Sequence, residues 1–235
     1  MNEYINRIKI PYNVTHIKLD IGLSYSAPHS QIWLSNEENL FVFGFEPNMD
    51  SVNDILQGYI AKRCPSHGEP IANKYINNTF TVIPVALSNV EEPTTMRFYK
   101  MTNDTGTSSL YEPRDKNLDP IKEKVDVPVY SLKHFFDVFP WDRFEYIDYI
   151  KIDAQGADFD IIKSAGDYLK ERVVFITAEP EHMFYINTAH NTYANMINYL
   201  VSQNFIQINH PNTSDPTFIN KKFQHLQDTI FISQI

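Results

Sequence analysis

Tyr146-Ile147-Asp148-Tyr149-Ile150-Lys151-Ile152-Asp153-Ala154-Gln155-Gly156-Ala157-Asp158 reads as a strand that ends in a carboxylate, turns through a glycine and opens a helix. The predicted strand is Tyr146–Asp153 and the predicted helix Asp158–Leu169. Outward from this unit, the same alternation recurs. Ile17–Ile21 is a strand followed by Gly22, with Pro28 at the start of a helix, where a missing N–H costs nothing. Leu40–Phe45 is a second strand ending in Glu46-Pro47. A helix over Asp50–Lys62 follows, with Val52, Ile55, Leu56, Tyr59 and Ile60 on one face. Phe80–Leu87 is a third strand and Val173–Ala178 a fifth, ending in Glu179. Thr192–Gln203 is helical, and Phe205–Ile208 and Thr229–Ile232 close the sheet, while Asp215-Pro216-Thr217-Phe218 reads as a turn. Strands alternating with helices predict an α/β fold, a doubly wound, mostly parallel seven-stranded sheet with helices on both faces.

The expected organisation is one domain over residues 1–235, with an irregular insertion at about 88–127. That insertion holds a strand at Thr95–Met101 and the polar loop Asn103–Ser109, read either as a lid over a substrate or as a solvated connection. A 235-residue chain that is 43 % hydrophobic and 14 % aromatic can bury a sizeable core. The single Cys64 excludes an internal disulfide and a cysteine zinc site, and an unpaired thiol suits a reducing compartment. With no basic n-region before an apolar run and no apolar stretch near the ~20 residues of a bilayer span, the expectation is a cytoplasmic protein without a membrane span. A net charge of −9 with scattered basic residues argues against a nucleic-acid partner.

Ligands of open parallel sheets bind outside the carboxyl ends of the strands. Four strands here end at or beside an acidic residue: Asp20, Glu46, Asp153 and Glu179. Their mutual repulsion calls for a ligand or cation between them. Glu46 lies 24 residues past Gly22, the spacing of a carboxylate that accepts from ribose hydroxyls, or else it caps the next helix. The turn Gly22-Leu23-Ser24-Tyr25-Ser26-Ala27-Pro28 has one glycine, so it lacks the G-x-G-x-x-G cradle for a pyrophosphate, and nicotinamide dinucleotides are disfavoured. A small zwitterionic tail asks less: its ammonium can face Asp20 and its carboxylate the amides of the turn.

Several stretches resemble, in order, the motifs of the FkbM-type methyltransferases. They are Asp20-Ile21-Gly22, Phe43-Gly44-Phe45-Glu46-Pro47-Asn48, Ala86-Leu87-Ser88, Thr105–Leu110, Val127–Leu132, Ile147–Asp158 and Ile161–Gly166. The resemblance covers about residues 16 to 182. It implies a class I, Rossmann-like methyltransferase that uses S-adenosyl-L-methionine to methylate a hydroxyl of a small molecule or glycan, a sugar foremost. It places Asp20, Gly22, Leu23, Ser24 and Ser26 at the methionine part, Glu46 and Pro47 at the ribose, and Ala86 and Leu87 beside the adenine. Two positions depart from the family: Ser26 stands where a second glycine is usual, and Gln155 where a glutamate is frequent.

A sugar hydroxyl is un-ionised at neutral pH, so methyl transfer needs a base or a metal. Asp153, Glu179 and His182 are the candidates for base, and Asp153 with Glu179 could hold Mg²⁺. His134 reads as structural. Tyr25, Trp33, Trp141 and Tyr185 could stack on a sugar or fill the core. Two alternatives stand beside this reading: a degenerate cofactor-binding domain without turnover, and a nicotinamide-dependent oxidoreductase.

Overall fold

A computed structural model of the protein describes residues 1–57, 69–209 and 213–230. The elements in chain order are α1 (Asn2–Ile5), β1 (His16–Ile21), α2 (Pro28–Asn36), β2 (Leu40–Phe45), α3 (Met49–Leu56), β3 (Phe80–Ile83), β4 (Ala86–Leu87), β5 (Thr94–Met101), β6 (Ile121–Tyr130), α4 (Leu132–Phe136), β7 (Ile147–Ile152), α5 (Asp158–Lys163), α6 (Tyr168–Arg172), β8 (Val173–Ala178), α7 (Tyr193–Ser202), β9 (Phe205–Gln207) and β10 (Thr217–Asn220). Seven strands form one sheet in the order β3-β2-β1-β7-β8-β10-β9. All neighbours are parallel except β10, which runs antiparallel to β8 and β9. The order reverses between β1 and β7, the place where an open sheet leaves a crevice.

Strand parity divides the core in two. Ile17, Leu19 and Ile21 of β1, with Phe41, Phe43 and Phe45 of β2, pack against α4, α5, α6 and α7. The alternate residues of β2, Leu40 and Val42, pack with Trp33 and Leu34 of α2 and Ile55 of α3. Both faces of the sheet are thereby covered, which is why the strands read as near-continuous apolar runs. The expected doubly wound α/β fold is the fold observed.

Several boundaries differ from the sequence reading. The run Phe80–Leu87 is not one strand, because β3 ends at Ile83 and β4 pairs with β6 in a second, three-stranded sheet of order β4-β6-β5. Pro84, which cannot donate to a ladder, stands at the switch. The stretch 88–127 holds more regular structure than expected, since β5 and β6 form a long antiparallel pair. The predicted helix Asp158–Leu169 breaks into α5 and α6 where Gly166 adopts φ +58°. The last strand is Thr217–Asn220, not Thr229–Ile232. The supposed turn at 215–218 leads into that strand, which completes the sheet by pairing Phe218 with Ile176 and Gln207. Thr229 and Ile230 are not in a strand; residues 231 and 232 lie outside the described residues. The helix after Glu46 is described as far as Leu56, which is 44 % exposed rather than on the buried face. Tyr59, Ile60 and Cys64 lie outside the described residues. Among the described residues no helix is long and apolar enough to cross a membrane.

Candidate active site

The sheet register brings the strand ends level. Ile21 pairs with Phe45 and with Ile152, Phe45 with Ile83, and Ile152 with Ala178. The residues that follow, Gly22, Glu46, Asp153 and Glu179, therefore stand side by side along one edge. All four line a single cavity of about 500 Å³, together with Leu23, Ser24, Pro47, Ala86 and Leu87. The loop Asp104–Ser108 completes its wall.

The turn after β1 is shaped by close approach. Gly22 has φ +81°, and a Cβ there would lie 1.8 Å from the Asp153 carbonyl oxygen, so only glycine fits. Leu23 folds back onto Gly44, where a Cβ would come within 2.7 Å of the leucine methyl. Ser26, where a second glycine is usual, is not among the left-handed residues; those are Ser24 (φ 53°) and Ala27 (φ 50°). Ser26 is buried behind the wall. Among the described residues its hydroxyl, like that of Ser24, has no hydrogen-bond partner.

Asp20 does not reach the cavity. Being inside β1, one residue before its end, it points to the face covered by α2. There its Oδ2 accepts from Ser30 N at 3.1 Å and Ser30 Oγ at 2.6 Å. It thus supplies the α2 start with the acceptor that the capping residue Ala27 lacks. His182 is also off the wall, in the loop after β8, where its carbonyl accepts from Thr188 Oγ1.

Glu46 is buried and accepts the backbone N–H of Asn48 at 2.8 Å, with Leu23 and Ser24 amides also bonded to it. It does not cap α3, whose cap is the Asn48 side chain. Burial pushes its carboxyl up to about 8 despite those amides and Lys151. Lys151, in β7, donates to the Gly22 carbonyl at 3.1 Å and the Asp153 carboxylate at 3.4 Å, and lies 3.9 Å from Asp20. Burial alone would lower its pKa, but the Asp153 and Asp20 carboxylates more than offset that and raise it. Lys151 keeps Asp153 ionised: against the effect of burial, Lys151 and the Gln155 amide hold the Asp153 carboxyl below its usual range.

Glu179 has the opposite environment. Burial and the charges of Asp153, Asp158, Asp215 and Glu181 push its carboxyl up to about 8. Asp158, fully buried, closes the turn after β7 by accepting from Ala154 N and Gly156 N, and burial pushes it up to about 7. His29, at the start of α2, lines the cavity, and burial with Lys151 lowers its pKa, leaving a neutral imidazole at pH 7. Lys151, Asp158 and His29 are the site residues that reading the sequence missed. A lysine between Ile150 and Ile152, at the end of a strand, was the visible signal for the first.

The expected metal pair does not fit. Asp153 already bonds Lys151 and Gln155, and among the described residues no group of three or more His, Cys, Asp or Glu side chains could hold an ion. The aromatics are mostly core: Trp33 is fully buried, Trp141 stacks on Tyr168, and Tyr25 is buried away from the cavity. Tyr185 is buried with its hydroxyl at the cavity edge, 2.7 Å from Gln155 Oε1. His134 is structural, completing a capping box with Ser131 at the start of α4.

Residues 20–206 match the family model of the methyltransferase FkbM domain. The chain belongs to this family. The match begins at the strand end that precedes Gly22 and runs through β9, so it contains every residue of the cavity named above. A search among curated proteins finds no match. This FkbM methyltransferase has its cavity at the carboxyl ends of the parallel strands.

Proposed function

We propose that the protein is an S-adenosyl-L-methionine-dependent O-methyltransferase whose acceptor is a hydroxyl of a small molecule or glycan, a sugar foremost. The observation that carries this reading is the convergence of Gly22, Glu46, Ala86–Leu87, Asp153 and Glu179 on one cavity. The donor set suits the cofactor. Glu46, oriented by the amides of Leu23, Ser24 and Asn48, is the acceptor for ribose hydroxyls, Ala86 and Leu87 give an apolar border for adenine, and the unpartnered Ser24 hydroxyl faces the methionine part. Asp153, held ionised and paired with Lys151, keeps this wall of the cavity polar. S-adenosylmethionine supplies, when bound, a methyl group on a sulfonium.

The protein's own task is then to place the acceptor oxygen and remove its proton. Alignment of this kind can contribute roughly 7–11 kcal/mol to lowering a barrier. Two carboxyls with separated pKa values divide the remaining work. Asp153 stays ionised, while Glu179, near 8, is the group matched to taking up a proton close to neutral pH. A cation entering the cavity favours the ionised form of Glu179 and so prepares it as the base. The Asp104–Ser108 loop, on the wall, contributes to acceptor selection.

Calorimetry with S-adenosylmethionine, followed by mass spectrometry of a panel of sugars and glycans for a gain of one methyl, tests the proposal. Binding of NADH with no affinity for the methyl donor would overturn it in favour of an oxidoreductase. Donor binding without transfer to any acceptor would favour a degenerate domain.

A further inference from the structure

Gln155 holds a left-handed backbone conformation, φ 53°, that L residues other than asparagine and aspartate seldom adopt. Such strain persists where the surroundings over-determine it. Here they do. Its Nε2 donates to Asp153 Oδ1 at 2.7 Å, its Oε1 lies 2.7 Å from the Tyr185 hydroxyl, and its carbonyl accepts from Ser109 Oγ at 2.6 Å. The amide cannot be turned round, because an ionised carboxylate only accepts and must face the NH₂. The Tyr185 hydroxyl also lies 2.8 Å from the carbonyl of Thr107, in the one-turn 3₁₀ helix Thr105–Thr107 on the cavity wall, so its single proton is shared between that carbonyl and Gln155 Oε1. Tyr185 itself is buried and anchored by the backbone bonds Arg114 N to Phe184 O and Ile186 N to Glu112 O, each 2.8 Å.

The Gln155 side chain is not needed to close its own turn, since Asp158 already accepts the amides of Ala154 and Gly156. What it does is take one oxygen of Asp153 while Lys151 takes the other. We propose that Gln155 is a positioning residue that aims the Asp153 carboxylate into the cavity and, through Tyr185, ties that aim to the Thr105–Thr107 wall. A glutamate at this position would set a second negative charge against Asp153; an amide holds it. The consequence for turnover rests on the methyl-transfer reading above, but the linkage itself does not.

The first test needs no turnover. In protein labelled with ¹⁵N at glutamine side chains, the Gln155 amide pair is identified by its disappearance in Q155G, a variant whose backbone takes φ 53° freely and so retains the fold. The expected result is a downfield amide proton exchanging about tenfold more slowly than exposed glutamines, since its one net hydrogen bond, to Asp153, is worth roughly that factor, with the protection lowered in Y185F, which frees the Oε1 end of the amide. Exchange like an exposed glutamine in the unsubstituted protein would overturn the proposal, and so would protection unchanged in Y185F. In the transfer reaction, Q155G and Y185F should each lower kcat about tenfold with acceptor KM changed less than about twofold, and the double variant should be no worse than Q155G alone. Additive losses, or losses confined to KM, would overturn it. Absence of transfer altogether, with the amide result as expected, would count against the methyl-transfer reading and leave the positioning role standing.

Discussion

The carbonyl oxygen of Asp153 occupies the space that any side chain at residue 22 would need, 1.8 Å from a Cβ on Gly22. Two strand ends, β1 and β7, are thereby pressed together at the point where the strand order reverses. The contact sets how close the glycine turn lies to the acidic residue facing the cavity.

Gly22→Ala adds both that clash and a left-handed penalty. A loss of roughly 2–4 kcal/mol of stability is expected, combining overpacking with the cost of φ > 0. Calorimetric unfolding should show a drop in Tm of about 5–15 °C. Donor affinity should fall with it. A Tm within 1 °C or so of the parent would show that the close approach is not maintained in solution.

Glu179→Gln removes the group proposed to take the proton. A fall in kcat of about 10²-fold or more is expected. In the parent, kcat/KM should rise with pH up to about 8, where the free protein's Glu179 ionises. This limb should vanish in the variant. A profile with the same limb in Glu179→Gln would assign the base elsewhere, with the neutral His29 on the wall the next group to substitute.

Glu46 couples ligand binding to stability. Its carboxyl titrates near 8 in the folded protein against about 4.5 when unfolded. Between those values the folded state holds a proton that the unfolded state has released, so stability is full below pH 4.5 and falls as pH rises through 8. Asp158, near 7, and Glu179, near 8, act in the same direction. Glu46→Gln should flatten the decline in Tm between pH 6 and 9 relative to the parent, by an amount on the order of 1–2 kcal/mol. It should also weaken donor binding by roughly 2–10-fold, the range of a hydrogen bond between neutral groups. A parallel pair of Tm curves would show that Glu46 is ionised throughout.

Lys151→Met leaves Asp153 and Asp20 without their buried cation. Breaking such a pair costs about 3–5 kcal/mol, because a carboxylate remains unpaired. The loss should be largest above pH 7 and smaller in acid, where Asp153 can protonate. Denaturant unfolding at pH 5 and pH 8 checks this; equal losses at both would mean that Lys151 contributes packing rather than charge.

Much of the fold was legible because it rests on local pattern. β2 and β8 are apolar runs of strand length, β1 and β7 are strands of apolar residues with Lys18, Asp20, Asp148 and Lys151 set among them, and helix starts at Pro28 and after Asn48 and Thr192 carry their own cap signals. The misread elements are those where neighbours outweigh pattern. Phe80–Leu87 is apolar throughout, yet its two halves join different sheets. Thr217–Asn220 follows an Asp-Pro pair that reads as a turn, and becomes a strand because β8 and β9 offer it unpaired edges.

By itself the sequence determined the alternation of strands and helices, the glycine after β1 and the carboxylates at the strand ends, since these depend on residue types at short spacings. Only the tertiary structure decided which of them face the ligand. A side chain's direction follows from its place in the pleat and from what packs above it. Asp20, one residue short of the strand end, turns under α2, while Lys151, between two isoleucines of β7, reaches the Gly22 carbonyl and the carboxylate of Asp153.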